Sequence, residues 1–167
     1  QDWSMAVNLS TLQFEQPSLV KTVLDCLERH QVPPEMLILE VTETTAMSNP
    51  DESVRVLTEL TNAGVKASID DFGTGYSSLL YLKRLPACEL KIDRAFVKEL
   101  SGESEDATLV PAIVALAKTP NLKVVAEGVE TEAQQTFFTE LGCYTLQGYL
   151  LGKPASAQTL EAPCARG

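Results

Sequence analysis

Short apolar segments alternate along the chain with segments whose apolar residues recur at helical spacing. Val20, Val23, Leu24 and Leu27 stand at i, i+3, i+4 and i+7, which is the stripe of a helix that buries one face. The run at residues 36–41 is nearly all apolar, as in a strand that is covered on both faces. This alternation predicts an α/β fold built of strand–helix units.

The pattern predicts six strands, at residues 5–10, 36–41, 65–70, 89–93, 122–126 and 144–149. Turn chemistry marks the helices between them. Asn49 and Pro50 supply an N-cap and a first-turn proline, and Thr131 with Gln134 resembles a capping box. Pro111 lies inside the helix predicted before the fifth strand, which leaves the start of that helix open.

Each predicted strand carries a polar residue near its end: Asn8, Glu40, Asp70, Lys91, Glu127 and Gln147. Parallel units of this kind form either an open, doubly wound sheet or a closed barrel of eight units and roughly 250 residues. The chain has 167 residues, too few for closure. We favour the barrel because it directs the C-terminal ends of all its strands to one site. We therefore expect residues 1–167 to form an incomplete (β/α)8 TIM-like barrel with about six βα units.

Hard oxygen ligands stand at several of these strand ends: Asn8, Glu40, Asp70, Asp71 and Glu127. Such a set suits Mg²⁺ or Mn²⁺ rather than structural Zn²⁺. Asp70 and Asp71 are adjacent, so both can face one site only where the strand breaks into its loop, and the glycines after them permit that break. The set is typical of a two-metal centre for phosphoryl displacement, with Lys91 orienting water or neutralising the phosphate. Each carboxylate by itself is equally compatible with a helix cap or a solvated loop.

The overall charge narrows the range of partners. Thirteen basic residues against 23 acidic ones give a formal net charge of −10, which disfavours a duplex nucleic-acid binder. No apolar stretch approaches the roughly 20 residues of a membrane span, and residues 1–4 lack the layout of a secretory signal. The four cysteines form no Cys-x-x-Cys pair, so we expect them to be small buried hydrophobes of a cytoplasmic domain without membrane contact.

Six strings in the sequence resemble those of the EAL-domain cyclic di-GMP phosphodiesterases, and they occur in family order along the whole chain. They are Asn8-Leu9-Ser10, Leu39-Glu40-Val41-Thr42-Glu43, Asp70-Asp71-Phe72-Gly73-Thr74-Gly75-Tyr76-Ser77-Ser78, Lys91-Ile92-Asp93-Arg94, Glu127-Gly128-Val129-Glu130 and Gln147-Gly148-Tyr149-Leu150-Leu151-Gly152-Lys153-Pro154. The resemblance implies a barrel that hydrolyses cyclic di-GMP to linear pGpG with two Mg²⁺ or Mn²⁺ ions.

The resemblance also implies roles for single residues. Asn8, Glu40 and Asp70 would hold one ion, and Asp70, Asp71 and Glu127 a second, with Asp70 bridging. Lys91 would position the attacking water, in a catalytic set with Asp71 and Glu127. Glu43 would anchor the loop after Asp71, while Glu130 and Gln147 would support the site and the ligand. Residues 72–78 would join the metal site to a homodimer interface.

In the family, the naming Glu-Ala-Leu motif precedes the position of Asn8, whereas this sequence begins at Gln1. We therefore expect the chain to lack the first two strands and one metal ligand, and to hydrolyse its substrate poorly by itself. An upstream sensory or cyclase domain is expected in the parent protein. The alternatives are a catalytically impaired module that senses cyclic di-GMP without cleaving it, and a structural fragment that only dimerises.

Overall fold

The computed structural model describes residues 3–73, 79–98, 106–118, 122–157 and 159. Its strands are β1 (Met5–Leu9), β2 (Leu37–Thr42), β3 (Lys66–Phe72), β4 (Glu89–Ile92), β5 (Lys123–Glu127) and β6 (Thr145–Gln147). The α-helices are α1 (Thr11–Phe14), α2 (Leu19–His30), α3 (Glu43–Ser48), α4 (Pro50–Asn62), α5 (Leu79–Leu82), α6 (Arg94–Lys98), α7 (Asp106–Lys118) and α8 (Glu132–Glu140), and a 3₁₀ turn spans Pro34–Met36.

The six strands form one parallel sheet whose spatial order is the order of the chain, from β1 to β6. A doubly wound sheet reverses its strand order at a switch point, and the described strands contain no such reversal. Successive parallel strands joined through helices are the construction of a (β/α)8 barrel. The expectation of an incomplete TIM-like barrel with six units is confirmed.

The outward face of the sheet is apolar and lies under the helices. Leu39, Val41, Ala67, Ile69, Leu90, Ile92 and Ala126 are each at most 2% exposed. On the helix side, Leu57 and Leu60 of α4 and Val110 of α7 are equally buried. Burying an aliphatic side chain contributes about 1.5–3 kcal/mol, so this layer between sheet and helices holds the fold together.

The local predictions have mixed outcomes. Thr131 and Gln134 form the capping box of α8, as predicted. α4 begins at Pro50, but the prediction of a side-chain cap there is wrong because Asn49 makes no capping hydrogen bond. α7 starts at residue 106 and runs through Pro111, while α1, α3, α6 and the 3₁₀ turn were not predicted.

Two further expectations need correction or lie outside the described residues. Cys143 is buried as expected. Cys26 is exposed because it lies on the outer side of helix α2, and Cys88 is exposed because it lies directly before β4. Residues 74–78 of the predicted loop and Cys164 fall outside the described part of the chain. In the part that is described, no helix combines the length and the apolar character needed to cross a membrane.

Candidate functional site

The inward face of the sheet carries the polar strand-end residues. Asn8 pairs in register with Glu40, and Glu40 with Ser68. Glu127 pairs with Gln147 at the far side of the sheet. Partners in register point to the same face, and so do residues two apart on one strand. The register therefore places Asn8, Glu40, Asp70, Lys91, Glu127 and Gln147 on one face, near the C-terminal ends of their strands.

A β-bulge brings the adjacent carboxylates of Asp70 and Asp71 to this face together. Ile69 pairs with Leu90, but the next pair is Phe72 with Ile92, so two residues of β3 stand opposite the single residue Lys91 of β4. Asp71 takes a left-handed backbone conformation with φ 53°, and its N–H donates to Asp70 Oδ1 at 2.9 Å. Asp tolerates this region better than most residues. The predicted break in alternation thus lies inside the strand, at Asp71, because β3 continues through Phe72 instead of ending at Asp70.

Lys91 lies at the centre of the acidic cluster. Its Nζ is 2.6 Å from Glu127 Oε1, 2.8 Å from Glu40 Oε1 and 3.5 Å from Asp70 Oδ1. The Lys91 side chain is 5% exposed, and those of its partners are 8–17% exposed. Ion pairs with so little solvent around them are screened weakly, so these contacts fix the positions of three carboxylates on three strands.

The cluster contains more carboxylates than ammonium groups, and this excess of negative charge contributes to raised pKa values of two of the carboxyl groups. Burial and the charge of Asp70 raise the pKa of Asp71, and the nearby Asp93 side chain adds to the effect. Burial likewise raises the pKa of Glu127, although its hydrogen bond with Lys91 acts in the opposite direction. Burial favours the neutral form of Lys91, but hydrogen bonds to Glu127 and Glu40 and the charge of Asp70 outweigh it and raise the Lys91 pKa. The cluster is therefore short of positive charge.

The donor set fits a hard divalent cation. One carboxylate oxygen each from Asp70, Asp71 and Glu127 lie within 4.8 Å of one another. Oxygen-only ligands suit Mg²⁺ or Mn²⁺, and a bound cation would lower the pKa values that crowding raises. The Lys91 ammonium links Glu40 to this group, and Asn8 of β1 pairs in register with Glu40.

Glu43, the first residue of α3, connects this helix to the end of β3. Thr42 caps α3 through its side chain, which accepts from the Thr45 N–H, and Glu43 then begins the helix. The Glu43 side chain is 1% exposed, and its Oε2 accepts a hydrogen bond from the Gly73 N–H at 2.8 Å. Gly73 has φ 102°, a conformation that suits glycine. Glu43 therefore holds the backbone directly after Phe72.

A pocket of about 220 Å³ adjoins the carboxylate cluster on the side of β5 and β6. Its walls are Arg94, Glu127, Gly128, Glu130, Gln147, Gly148 and Tyr149. Glu130 and Gln147 thus lie beside Glu127, in a pocket rather than in the cluster itself. Backbone hydrogen bonds from the Val129 N–H to the Gln147 carbonyl, and from the Leu150 N–H to the Val129 carbonyl, extend the β5–β6 pairing beneath it.

Three residues near the site were not singled out from the sequence. Asp93 lies beside Asp71 and also accepts from the Ala95 N–H at 2.6 Å, at the start of α6. Arg94 and Tyr149 line the pocket. Asp93 and Arg94 directly follow Lys91-Ile92 at the end of β4, and this position next to a strand end is the signal that points to them.

Comparison with known proteins identifies relatives over nearly the whole chain. The family profile of the EAL domain matches residues 1–154. MucR of Pseudomonas aeruginosa, a bifunctional diguanylate cyclase/cyclic di-GMP phosphodiesterase, is 62% identical over 164 residues, which are 98% of this chain and 24% of MucR. The chain thus spans about a quarter of the length of this curated relative.

Solved structures agree with the sequence comparison. The PaMucR phosphodiesterase in complex with c-di-GMP has a TM-score of 0.92 and 63% identity, with 95% of this chain and 64% of that chain covered. Klebsiella pneumoniae BlrP1, in a manganese/cy-diGMP complex, has a TM-score of 0.82 and 32% identity, with 91% and 39% covered. From the profile match and the shared fold, we conclude that the chain belongs to the EAL domain family.

Proposed function

We propose that this chain is part of a phosphodiesterase domain that hydrolyses cyclic di-GMP to linear pGpG with the help of two Mg²⁺ or Mn²⁺ ions. The observation that carries the proposal is the bulge in β3, which turns Asp70 and Asp71 to the same face beside Glu127. The substrate class follows the name of MucR and the ligands of the PaMucR and BlrP1 complexes.

The ion ligands in this proposal come from four strands. Asn8, Glu40 and Asp70 would hold one ion, and Asp70, Asp71 and Glu127 would hold the other, with Asp70 contributing to both. When bound, divalent ions activate water and neutralise charge on a phosphate. Glu43 supports this arrangement by fixing the backbone at Gly73, and Glu130 and Gln147 contact the ligand from the adjoining pocket.

In the proposed hydrolysis, side chains of this chain orient the attacking water and accept its proton. The oxygen of a water molecule forms a new bond to phosphorus, and the P–O3′ bond breaks, which leaves the phosphate on the 5′ side of pGpG. A carboxylate of the catalytic set, Asp71 or Glu127, takes one proton from the water, and the departing O3′ takes up a proton from the solvent. Lys91 orients the water and offsets negative charge, because its ammonium remains protonated within the cluster.

Incubation of the chain with cyclic di-GMP and Mn²⁺, followed by chromatography, tests the proposal. Release of pGpG that stops on addition of EDTA supports the enzyme. Binding without turnover supports the sensor. The absence of both binding and turnover supports the structural fragment. In an otherwise complete domain, Asp70→Asn should abolish turnover. Asp51→Asn is the matched control, because Asp51 is exposed and pairs only with surface residue Arg84 in the described structure. Full activity of Asp70→Asn at saturating Mn²⁺ would contradict the bridging role.

The proposal extends to a homodimer in the cytoplasm, with a sensory or cyclase domain elsewhere in the parent protein. The outward face of α7 supports dimerisation: Leu109 is 47% and Leu116 36% exposed, and residues 107–117 contain no charge. Sedimentation velocity should show dimers that Leu109→Glu with Leu116→Glu dissociates. Leu12→Glu, at a 75% exposed position on α1, is the control and should leave the dimer intact. A monomeric unsubstituted chain would refute the dimer.

A further inference from the structure

The pocket beside Glu127 is too small for a complete dinucleotide. Its volume of about 220 Å³ is below the roughly 300–1,000 Å³ of sites that enclose a whole small molecule. It therefore accommodates one portion of a ligand whose remainder extends over the carboxylate cluster. Glu127 lies in both places, so that portion is close to the reacting phosphate.

Arg94 is the cation among the residues that line this pocket, alongside the carboxylates Glu127 and Glu130. In the described part of the chain, the Arg94 guanidinium is within ion-pair distance of no carboxylate. Lys91, in contrast, directs its ammonium to three carboxylates. Among the residues that line the pocket in the described structure, Arg94 is thus the one whose positive charge is still available to an incoming anion.

The aliphatic part of the Arg94 side chain is packed against its surroundings, although Arg94 as a whole is exposed. Arg94 is the first residue of α6, directly after Asp93, whose Oδ1 accepts from the Ala95 N–H. Gly128 has φ 71°, and a Cβ built on it would lie 2.6 Å from Arg94 Cβ. The backbone of Gly128 therefore packs directly against this aliphatic part, and only glycine leaves room for it.

We propose that Arg94 binds a phosphate group of a guanine nucleotide in this pocket and is a substrate-binding residue of the domain. The inference rests on the proposed function for the identity of the ligand. A planar guanidinium binds phosphate through two parallel hydrogen bonds, which an ammonium cannot do. The chain carries a net charge of −10, so a dianionic dinucleotide needs a local cation to approach.

Tyr149 favours a nucleotide over free phosphate as the occupant. Its side chain is 61% exposed and lines the same pocket as Arg94. The Lys153 ammonium lies 5.5 Å from the centre of the Tyr149 ring. An aromatic ring offers a stacking surface to a base and nothing comparable to inorganic phosphate.

Steady-state hydrolysis of cyclic di-GMP with Mn²⁺ by Arg94→Gln and Arg94→Lys tests the inference. Loss of a charge-assisted phosphate contact should raise KM about 10- to 100-fold in Arg94→Gln, with a smaller effect on kcat. Arg94→Lys should recover part of the loss. Arg84→Gln, at an exposed arginine paired with Asp51, is the matched control and should keep the original KM. An unchanged KM in Arg94→Gln overturns the inference and leaves the proposed function intact.

A second measurement does not depend on turnover. Titration of the metal-free chain with 5′-GMP, followed by NMR, should shift the amide signals of Gly128 and Gly148, and Arg94→Gln should weaken the binding. Inorganic phosphate should bind more weakly than 5′-GMP. If the chain shows no hydrolysis but Arg94-dependent GMP binding, the proposed function fails and the nucleotide site stands. Equal GMP binding by both proteins, or none by either, overturns the site.

Discussion

Replacing Lys91 by methionine removes the charge that three buried carboxylates share. The Lys91 Nζ contacts Glu40, Asp70 and Glu127 at 2.6–3.5 Å, and its side chain is 5% exposed. Methionine has a similar length and fills the same space, so the substitution changes mainly the charge. We expect Lys91→Met to destabilise the metal-free protein strongly.

The magnitude follows from the burial of the partners. Removal of one partner from a buried ion pair costs about 3–5 kcal/mol, because the other charge is left without compensation. For a chain of this size, each kcal/mol corresponds to about 2–4 °C in Tm, so we expect a decrease of about 6–20 °C. Lys123→Met is the matched control on the neighbouring strand. Lys123 is 59% exposed and lies 3.4 Å from Glu89, so its loss should cost about 0–1 kcal/mol.

Thermal unfolding in EDTA, at pH 8 and at pH 5, measures the effect. Burial already raises the pKa of Glu127, and loss of Lys91 raises it further. The folded variant then binds more protons than the unfolded chain, so its stability falls as the pH rises from 5 to 8. The Tm difference from the unsubstituted protein should therefore be smaller at pH 5. Equal Tm values of Lys91→Met and the unsubstituted protein at pH 8 would refute the electrostatic role of Lys91.

Three further changes test other parts of the site and fold. Asp71→Asn keeps a residue that tolerates φ 53° but removes the charge, so the increase in Tm on addition of Mn²⁺ should shrink while the Tm in EDTA does not fall. Gly148→Ala should cost about 1–3 kcal/mol or more in urea unfolding, since its Cβ would lie 2.1 Å from the Val129 carbonyl oxygen, whereas Gly152→Ala meets nothing within 4 Å and should be neutral. Ser53→Ala should leave stability unchanged or raise it by up to about 1 kcal/mol, because its buried hydroxyl has no hydrogen-bond partner in the described structure, and a clear loss would contradict this.

Local patterning was sufficient to predict the strands and the longer helices, whereas the choice of a barrel over an open sheet depended on the polar residues at the strand ends. The near-continuous apolar run of β2 and the helical stripe of α2 each specify their element without help from the rest of the chain. The capping box of Thr131 and Gln134 depends on neighbours three residues apart, and it is present as predicted. Each of these signals lies within about one turn or one strand, which is the range over which sequence patterns are informative.

The details of the site depend on contacts that local patterns do not encode. The adjacent aspartates predict a break in the alternation of side chains, but its position inside the strand, as a bulge at Asp71, arises from the pairing of β3 with β4. The hydrogen bond from the Gly73 N–H to Glu43 joins residues 30 positions apart. Arg94 was missed for a similar reason, because its place in the pocket depends on Gly128 of another unit.

The charge of the site bears on the order in which its ligands bind. Among the described residues, the carboxylates of Glu40, Asp70, Asp71 and Glu127 surround one ammonium, that of Lys91, so the cluster repels an anionic dinucleotide as it stands. The two divalent ions of the proposed function would bring more positive charge than this excess and would reverse the sign of the local field. Within the proposed function, metal binding must therefore precede productive binding of the reacting phosphate, whereas the pocket at Arg94 can hold the second phosphate of the dinucleotide without metal. Affinity for cyclic di-GMP should accordingly fall in EDTA without vanishing, and the residual affinity should depend on Arg94.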